Sequence, residues 1–227
     1  MAQALRDESV IVTRHETWGH PQQHKSIIIW DEKGRQYWLK IQQQDSPFAG
    51  IGIEAHALNT LQGTELGPQL LTQGCLNDGT PYLVTSHVAG TPLSDTPLTE
   101  ALTEMTECLA AMDHLPVEVW PQHDGTHLFS TRPDLTGILT ETLNRNDPNL
   151  ANRITTATAA ATPPMAVPIH GSLGLSNVIV GRHLTLLDWE ACRIGPREFD
   201  LATLAGELID AGRTHEADLW LKTATLL

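Results

Sequence analysis

Cysteine is scarce in this 227-residue chain: Cys75, Cys108 and Cys192 are an odd number with no C-x-x-C spacing. That excludes a disulfide framework and a cysteine zinc site, and it suits a reducing cytoplasm. Basic residues are few as well, 14 Lys+Arg against 27 Asp+Glu, for a formal charge of -13. So acidic a balance argues against a nucleic-acid partner or an anionic membrane surface. It leaves open a cationic ligand, a basic partner or plain solubility. No apolar run reaches the roughly 18 residues that a membrane span needs. The opening MAQALRDESV has no basic stretch followed by an apolar one, so no signal peptide is expected. The eleven histidines form no H-E-x-x-H and no tight pair, which leaves scattered surface and loop positions as their default. There is no internal repeat.

What is present falls into two blocks. In the first, Ser26 to Trp30 (SIIIW) is a short β-branched run, and Gln36 to Ile41 (QYWLKI) alternates behind a turn at Asp31-Glu32-Lys33-Gly34. The two read as a hairpin. Ile53 to Leu61 (IEAHALNTL) has helical spacing, with Gly63 as a stop. Leu70-Leu71 and Tyr82 to Thr85 read as two more strands around Asn77-Asp78-Gly79. Val88 to Leu93 then reads as a linker. In the second block, Thr99 to His114 is an amphipathic helix with Leu102, Met105, Cys108, Leu109 and Met112 on one face. Residues 116 to 134 read as irregular, and further helices are expected at Leu135–Leu143, Leu150–Ala160, Phe199–Ala211 and Ala217–Leu226. A second hairpin joins Val178-Ile179-Val180 to Leu184 through Leu187. The order predicts an α+β architecture: a small strand-rich lobe over 1–88, a larger helical lobe over 89–227, and a cleft between them.

The chemistry concentrates in Val167 to Ala202. His170-Gly171-Ser172 is followed by Asn177, then Leu187-Asp188-Trp189, then Phe199-Asp200-Leu201-Ala202. Asn177 and Asp188 flank the second hairpin, so a short hairpin brings two hard-oxygen side chains together, the donor type that Mg²⁺ prefers. Lys40 alternates onto one face of its strand with Trp38. Facing a cleft, it needs an anionic partner, and Glu54 on the next helix can supply one.

This order of motifs resembles the aminoglycoside phosphotransferase and choline kinase family, a branch of the protein-kinase-like fold, whose pattern is H-G-D-x-x-x-x-N, a hairpin, [IL]-D-[WFP] and a later Y/F-D-L-A. The resemblance implies a bilobal fold with an antiparallel-sheet lobe that binds ATP or GTP with Mg²⁺ against a helical lobe. It makes Lys40 the phosphate lysine, Glu54 its ion-pair partner, and the stretch holding Tyr82, Val84, Ser86 and Val88 the hinge beside the base. Asn177 and Asp188 become the metal ligands and His170 an orienting residue. Asp200 is expected to be a helix N-cap.

One departure matters. Where the family has its catalytic Asp, this chain has Ser172, and serine is a poor base at neutral pH. The loop between the first two strands holds only Trp18-Gly19-His20, without a glycine-rich pattern. Three accounts follow: a nucleotide-binding pseudokinase subunit, an unconventional phosphotransferase in which another carboxylate such as Glu190 substitutes, or a docking scaffold. The acceptor is expected to be a small molecule or a peptide, with a protein partner in the manner of natural-product maturation complexes. Asp113, Glu118, Asp124 and Asp134 offer a face on the helical lobe that is either cation-binding or merely solvated.

Overall fold

The computed structural model describes residues 14–18, 24–42, 50–120 and 166–224. Its first sheet is built from β1 (Arg14–Trp18), β2 (His24–Trp30), β3 (Gln36–Gln42), β4 (Leu70–Cys75) and β5 (Pro81–Ser86). They lie in the order β1-β2-β3-β5-β4, and every neighbouring pair is antiparallel. The β2–β3 turn is organised by Asp31. Its carboxylate accepts from Lys33 N (2.9 Å), Arg35 N (2.8 Å), Arg35 Nε (2.6 Å) and Tyr37 Oη (3.1 Å). Gly34 closes the turn at φ 73°, a left-handed conformation that glycine adopts without steric cost.

Period-two alternation divides the side chains of this sheet between two environments. Ile27, Ile29, Tyr37, Leu39, Tyr82 and Val84 form a core of their own. Lys40 and Leu83, paired across β3 and β5, face the other way, toward α1 (Gly50–Thr60). That side opens into a much larger core. There α1 contributes Ile51, Ala55, Ala57 and Leu58, and the rest comes mainly from the second half of the chain, including the fully buried Trp120, Trp189 and Trp220. Trp120 meets Trp189 edge-on, with ring centroids 5.7 Å apart.

The expected linker after β5 is more structured than its sequence suggested. Thr91–Pro92 is a strand, β6, that pairs with β8 (Val178–Val180), and β8 pairs in turn with β9 (Leu184–Leu186). So the second hairpin is the centre of a three-stranded sheet. A further pair escaped the sequence reading, β7 (Ala166–Ile169) with β10 (Arg193–Pro196). Each is four residues long and contains a proline, too short and too interrupted for periodicity to declare a strand.

Helix α2 (Leu98–Asp113) follows Pro97 and has no side-chain cap of its own. Instead Leu98 N donates to Glu216 Oε2 (2.5 Å), and Arg213 ties Glu216 to Leu93 O and Thr96 O, each at 2.8 Å. Residues around α4 (Thr214–Ala224) thereby satisfy the start of α2. Helix α3 (Arg197–Asp210) begins three residues before Asp200, with Pro196 at its N-cap. Asp200 is therefore not the cap that its place before an apolar run suggested. It lies buried in the first turn. The helices expected at Leu135–Leu143 and Leu150–Ala160 lie outside the described residues. No helix among those described is long and apolar enough to cross a membrane. The architecture is bilobal, α+β and protein-kinase-like.

Candidate nucleotide site

Lys40 sits on β3 at 5% exposure, and its Nζ lies 2.7 Å from Oε2 of Glu54, itself 2% exposed, on α1. The same ammonium contacts Asp188. Burial alone would lower the lysine, yet the charges of Glu54 and then Asp188 outweigh it and hold its pKa above the ordinary value. Lys40 stays charged. Burial pushes the Glu54 carboxyl upward, and Lys40 opposes that shift. The sequence paired Lys40 with Glu54 and left Asp188 as a separate metal ligand; the structure puts all three at one place.

Asp188 owes its aim to its backbone. It is the non-glycine residue with positive φ among those described, at φ 65° and ψ 59°. That conformation costs an L-residue about 1–2 kcal/mol, and such strain concentrates at functional positions. It turns the chain from β9 into the 3-10 turn Trp189–Ala191. The turn packs against α1 and brings Glu190 beside it: a Cβ built on Gly50, the first residue of α1, would fall 2.6 Å from Glu190 Cβ. Carboxylate oxygens of Glu54, Asp188 and Glu190 all lie within 4.8 Å of one another. Burial first, and then Asp188, pushes Glu190 up to about 7.

Asn177 stands at the other end of the hairpin, and the two ends are tied by Leu187 N donating to Asn177 O (2.7 Å). Its amide nitrogen donates to Ser172 O at 2.9 Å, so oxygen is the atom this side chain could offer a ligand. Carboxylate and amide oxygens are the donors that Mg²⁺ takes, and the set fits that ion.

Behind these groups the His170-Gly171-Ser172 loop is fixed by Asp200. Its Oδ2 accepts from His170 N (2.7 Å) and its Oδ1 from Gly171 N (2.8 Å). Gly171 has φ 80°, and a Cβ there would fall 2.1 Å from Ala191 O, so the position admits only glycine. His170 is fully buried, tilted against the Trp189 ring, with Nε2 2.8 Å from Leu187 O. Burial holds its pKa below the ordinary value. Its setting is that of an orienting histidine.

The hinge residues divide. Tyr82 and Val84 are packed in the sheet's own core, on the face opposite Lys40, so a ligand beside Lys40 meets the other face of β5. Ser86 is tied to Gln69, which donates from N to Ser86 Oγ (2.9 Å) and accepts Ser86 N at its O (2.9 Å). Val88 is half-buried just beyond β5. Of the acidic face on the helical lobe, Asp113 is paired with Arg197, which joins the end of α2 to the start of α3. Glu118 is exposed, and Asp124 and Asp134 lie outside the described residues. Two elements of the site had no sequence signal of their own. They are the Leu187 carbonyl that fixes the histidine ring and the part Asp200 plays in holding the loop.

A model of the phosphotransferase enzyme family matches residues 22–223, and the chain belongs to that family. Among solved structures it is similar to a thermostable mutant of aminoglycoside phosphotransferase APH(4)-Ia in ternary complex with ADP and hygromycin B. The TM-score is 0.71 at 15% identity, over 97% of this chain and 81% of that one. It is similar also to the GDP and kanamycin complex of APH(2")-IIia, with a TM-score of 0.68 at 15% identity over 98% and 82% of the two chains. A macrolide 2'-phosphotransferase type I gives a TM-score of 0.65 at 15% identity over 99% and 80%. No curated protein matches the sequence.

Proposed function

We propose that this chain binds a nucleoside triphosphate, ATP or GTP, with Mg²⁺ in the cleft between a nucleotide-covering lobe (1–88) and a helical lobe (89–227). In this reading Lys40 holds the phosphates and Glu54 positions it. Asn177 and Asp188 hold the metal, with Glu190 beside them. The metal would screen phosphate charge; the chain's own residues bind and orient. The observation that carries the reading is the convergence of two carboxylates distant in sequence, Glu54 and Asp188, on the Lys40 ammonium. The nucleotides and antibiotics bound by the structural relatives support it.

The protein is then an ATP-dependent, kinase-like phosphotransferase homologue. Its transfer to a hydroxyl of a small molecule or peptide is impaired or dependent on a partner, because Ser172 supplies no carboxylate to orient the acceptor. The same residue favours a second reading, a pseudokinase subunit that holds nucleotide without passing phosphate on. Calorimetric titration with ATP and Mg²⁺, run beside Asp188→Ala, tests the common ground. Magnesium-dependent heat in the parent and its loss in the variant are expected. Absence of binding at millimolar nucleotide would overturn both readings.

A further inference from the structure

Ser172 keeps unusual company for a residue at a catalytic position. Its Oγ lies 3.3 Å from His170 Nδ1 and 3.3 Å from Asp188 O. Two backbone groups of fixed role assign the protons on the ring. Leu187 O can only accept, so the Nε2 beside it carries hydrogen. Ser172 N can only donate, and it reaches Nδ1 at 3.3 Å, so Nδ1 offers its lone pair. His170 is thus the neutral Nε2–H tautomer. Both groups within reach of the Ser172 hydroxyl are acceptors. With the Nδ1 lone pair taken by Ser172 N–H, the hydroxyl hydrogen goes to Asp188 O, and the oxygen lone pairs remain for an electrophile. Asn177 Nδ2 holds the Ser172 carbonyl, which fixes the backbone of Ser172 relative to a proposed metal ligand. The half-buried side chain adjoins Asp188, which itself meets Lys40.

We infer that Ser172 is itself a phosphoryl acceptor, taking the terminal phosphoryl group of a nucleoside triphosphate bound in the same chain. The inference rests on the nucleotide-binding reading above. In the step, Ser172 Oγ bonds to the γ-phosphorus as the bond from that phosphorus to the β,γ-bridging oxygen breaks. Nucleoside diphosphate leaves with the electron pair. The hydroxyl proton passes to a phosphoryl oxygen and from there to water. A strong base is not required, because phosphoryl transfer runs through a loose transition state that depends on positioning and charge stabilisation. His170 positions the oxygen and takes no proton, since its Nδ1 already faces the Ser172 N–H. The product carries about -1.5 to -2 charges at neutral pH, at the place where the family resemblance sets a carboxylate.

The test is to incubate the purified full chain with ATP or GTP and Mg²⁺. Intact-mass and peptide mass spectrometry then follow the modification, while calorimetry on the same preparation follows binding. One phosphoryl group on Ser172 is expected, at a first-order rate independent of protein concentration. It should be absent in Asp188→Ala, and absent in Ser172→Ala although that variant keeps its binding heat. Nucleotide binding with Ser172 unmodified would overturn the inference and leave the binding proposal standing. A rate proportional to protein concentration would overturn it too, since the transfer would be between molecules. No binding by either nucleotide would overturn both.

Discussion

Asp200 shows how much one carboxylate can hold. It is 1% exposed and accepts from two buried backbone N–H groups at the loop that carries Ser172. Burial raises its pKa, and His170 together with these two hydrogen bonds pulls it back. Asp200→Ala would leave both donors unpaired, at about 1–3 kcal/mol each. We expect a loss of about 3 kcal/mol in urea denaturation, and an outcome under 1 kcal/mol would mean that water replaces the carboxylate. Sequence named this residue but misjudged it. An aspartate before an apolar run reads as a cap because local hydrogen bonding is the cheapest explanation. The His170–Asp200 contact spans thirty residues, which no local pattern encodes. By contrast the pairing of Lys40 with Glu54 was legible, and so was the hairpin that Asn177 and Asp188 flank, because strand alternation and turn residues carried them. What the sequence could not show was that Lys40 meets Asp188 directly, a fact of how the two lobes close.

At the scale of elements, the β2–β3 hairpin was readable from alternation and the turn residues, and its stability has a titratable origin. Burial would raise the Asp31 carboxyl, but bonds from the Arg35 backbone and side chain, Tyr37 and the Lys33 backbone overcome that and hold it at about 2, against an ordinary 3.8. A group depressed on folding stabilises above its unfolded pKa and loses that contribution as pH falls through the folded one. The hairpin should therefore weaken between about pH 4 and pH 2. Amide hydrogen exchange in β2 and β3 would report it. Asp31→Asn should weaken the hairpin at neutral pH and flatten the acid response; an unchanged response would mean that another group titrates. The strands β6, β7 and β10 were not legible for the opposite reason. They are two to four residues long and exist because a partner distant in sequence offers its edge.

For the whole molecule, the bilobal α+β character followed from the strand-rich first block and the helical second one, and the fold has that character. The larger core crosses the division between those blocks: Leu70 and Leu83 from the sheet belong to the same cluster as Trp220. Lys40 and Asp188 are the ionic part of that junction, with Glu54 paired to the same ammonium. Removing one partner of a buried pair leaves an uncompensated charge, at about 3–5 kcal/mol. Lys40→Met should lower global stability by about 3 kcal/mol, and Lys40→Met with Glu54→Gln should recover part of it. Thermal unfolding followed by the fluorescence of the buried tryptophans would measure both. Equal stability of the single and double variants would show that Glu54 is neutral once its partner is gone.

Helix α1 is covalently part of the strand-rich half, yet much of its packing lies against the other half. Its apolar side chains join the larger core, Gly50 abuts Glu190, and the segment after it is fastened by Leu66 O to Leu186 N at 2.9 Å. A Cβ on Gly67 would sit 3.1 Å from Trp189 Nε1, so the fit there is tight. Mechanically, then, α1 is fastened on two sides, to its own sheet through Lys40 and Glu54 and to the second half through the shared core. A displacement of the sheet against the second half would stretch the Lys40–Asp188 contact along with the core that both halves share. The ion triad of Lys40, Glu54 and Asp188 is thus a latch between parts of the chain 148 residues apart.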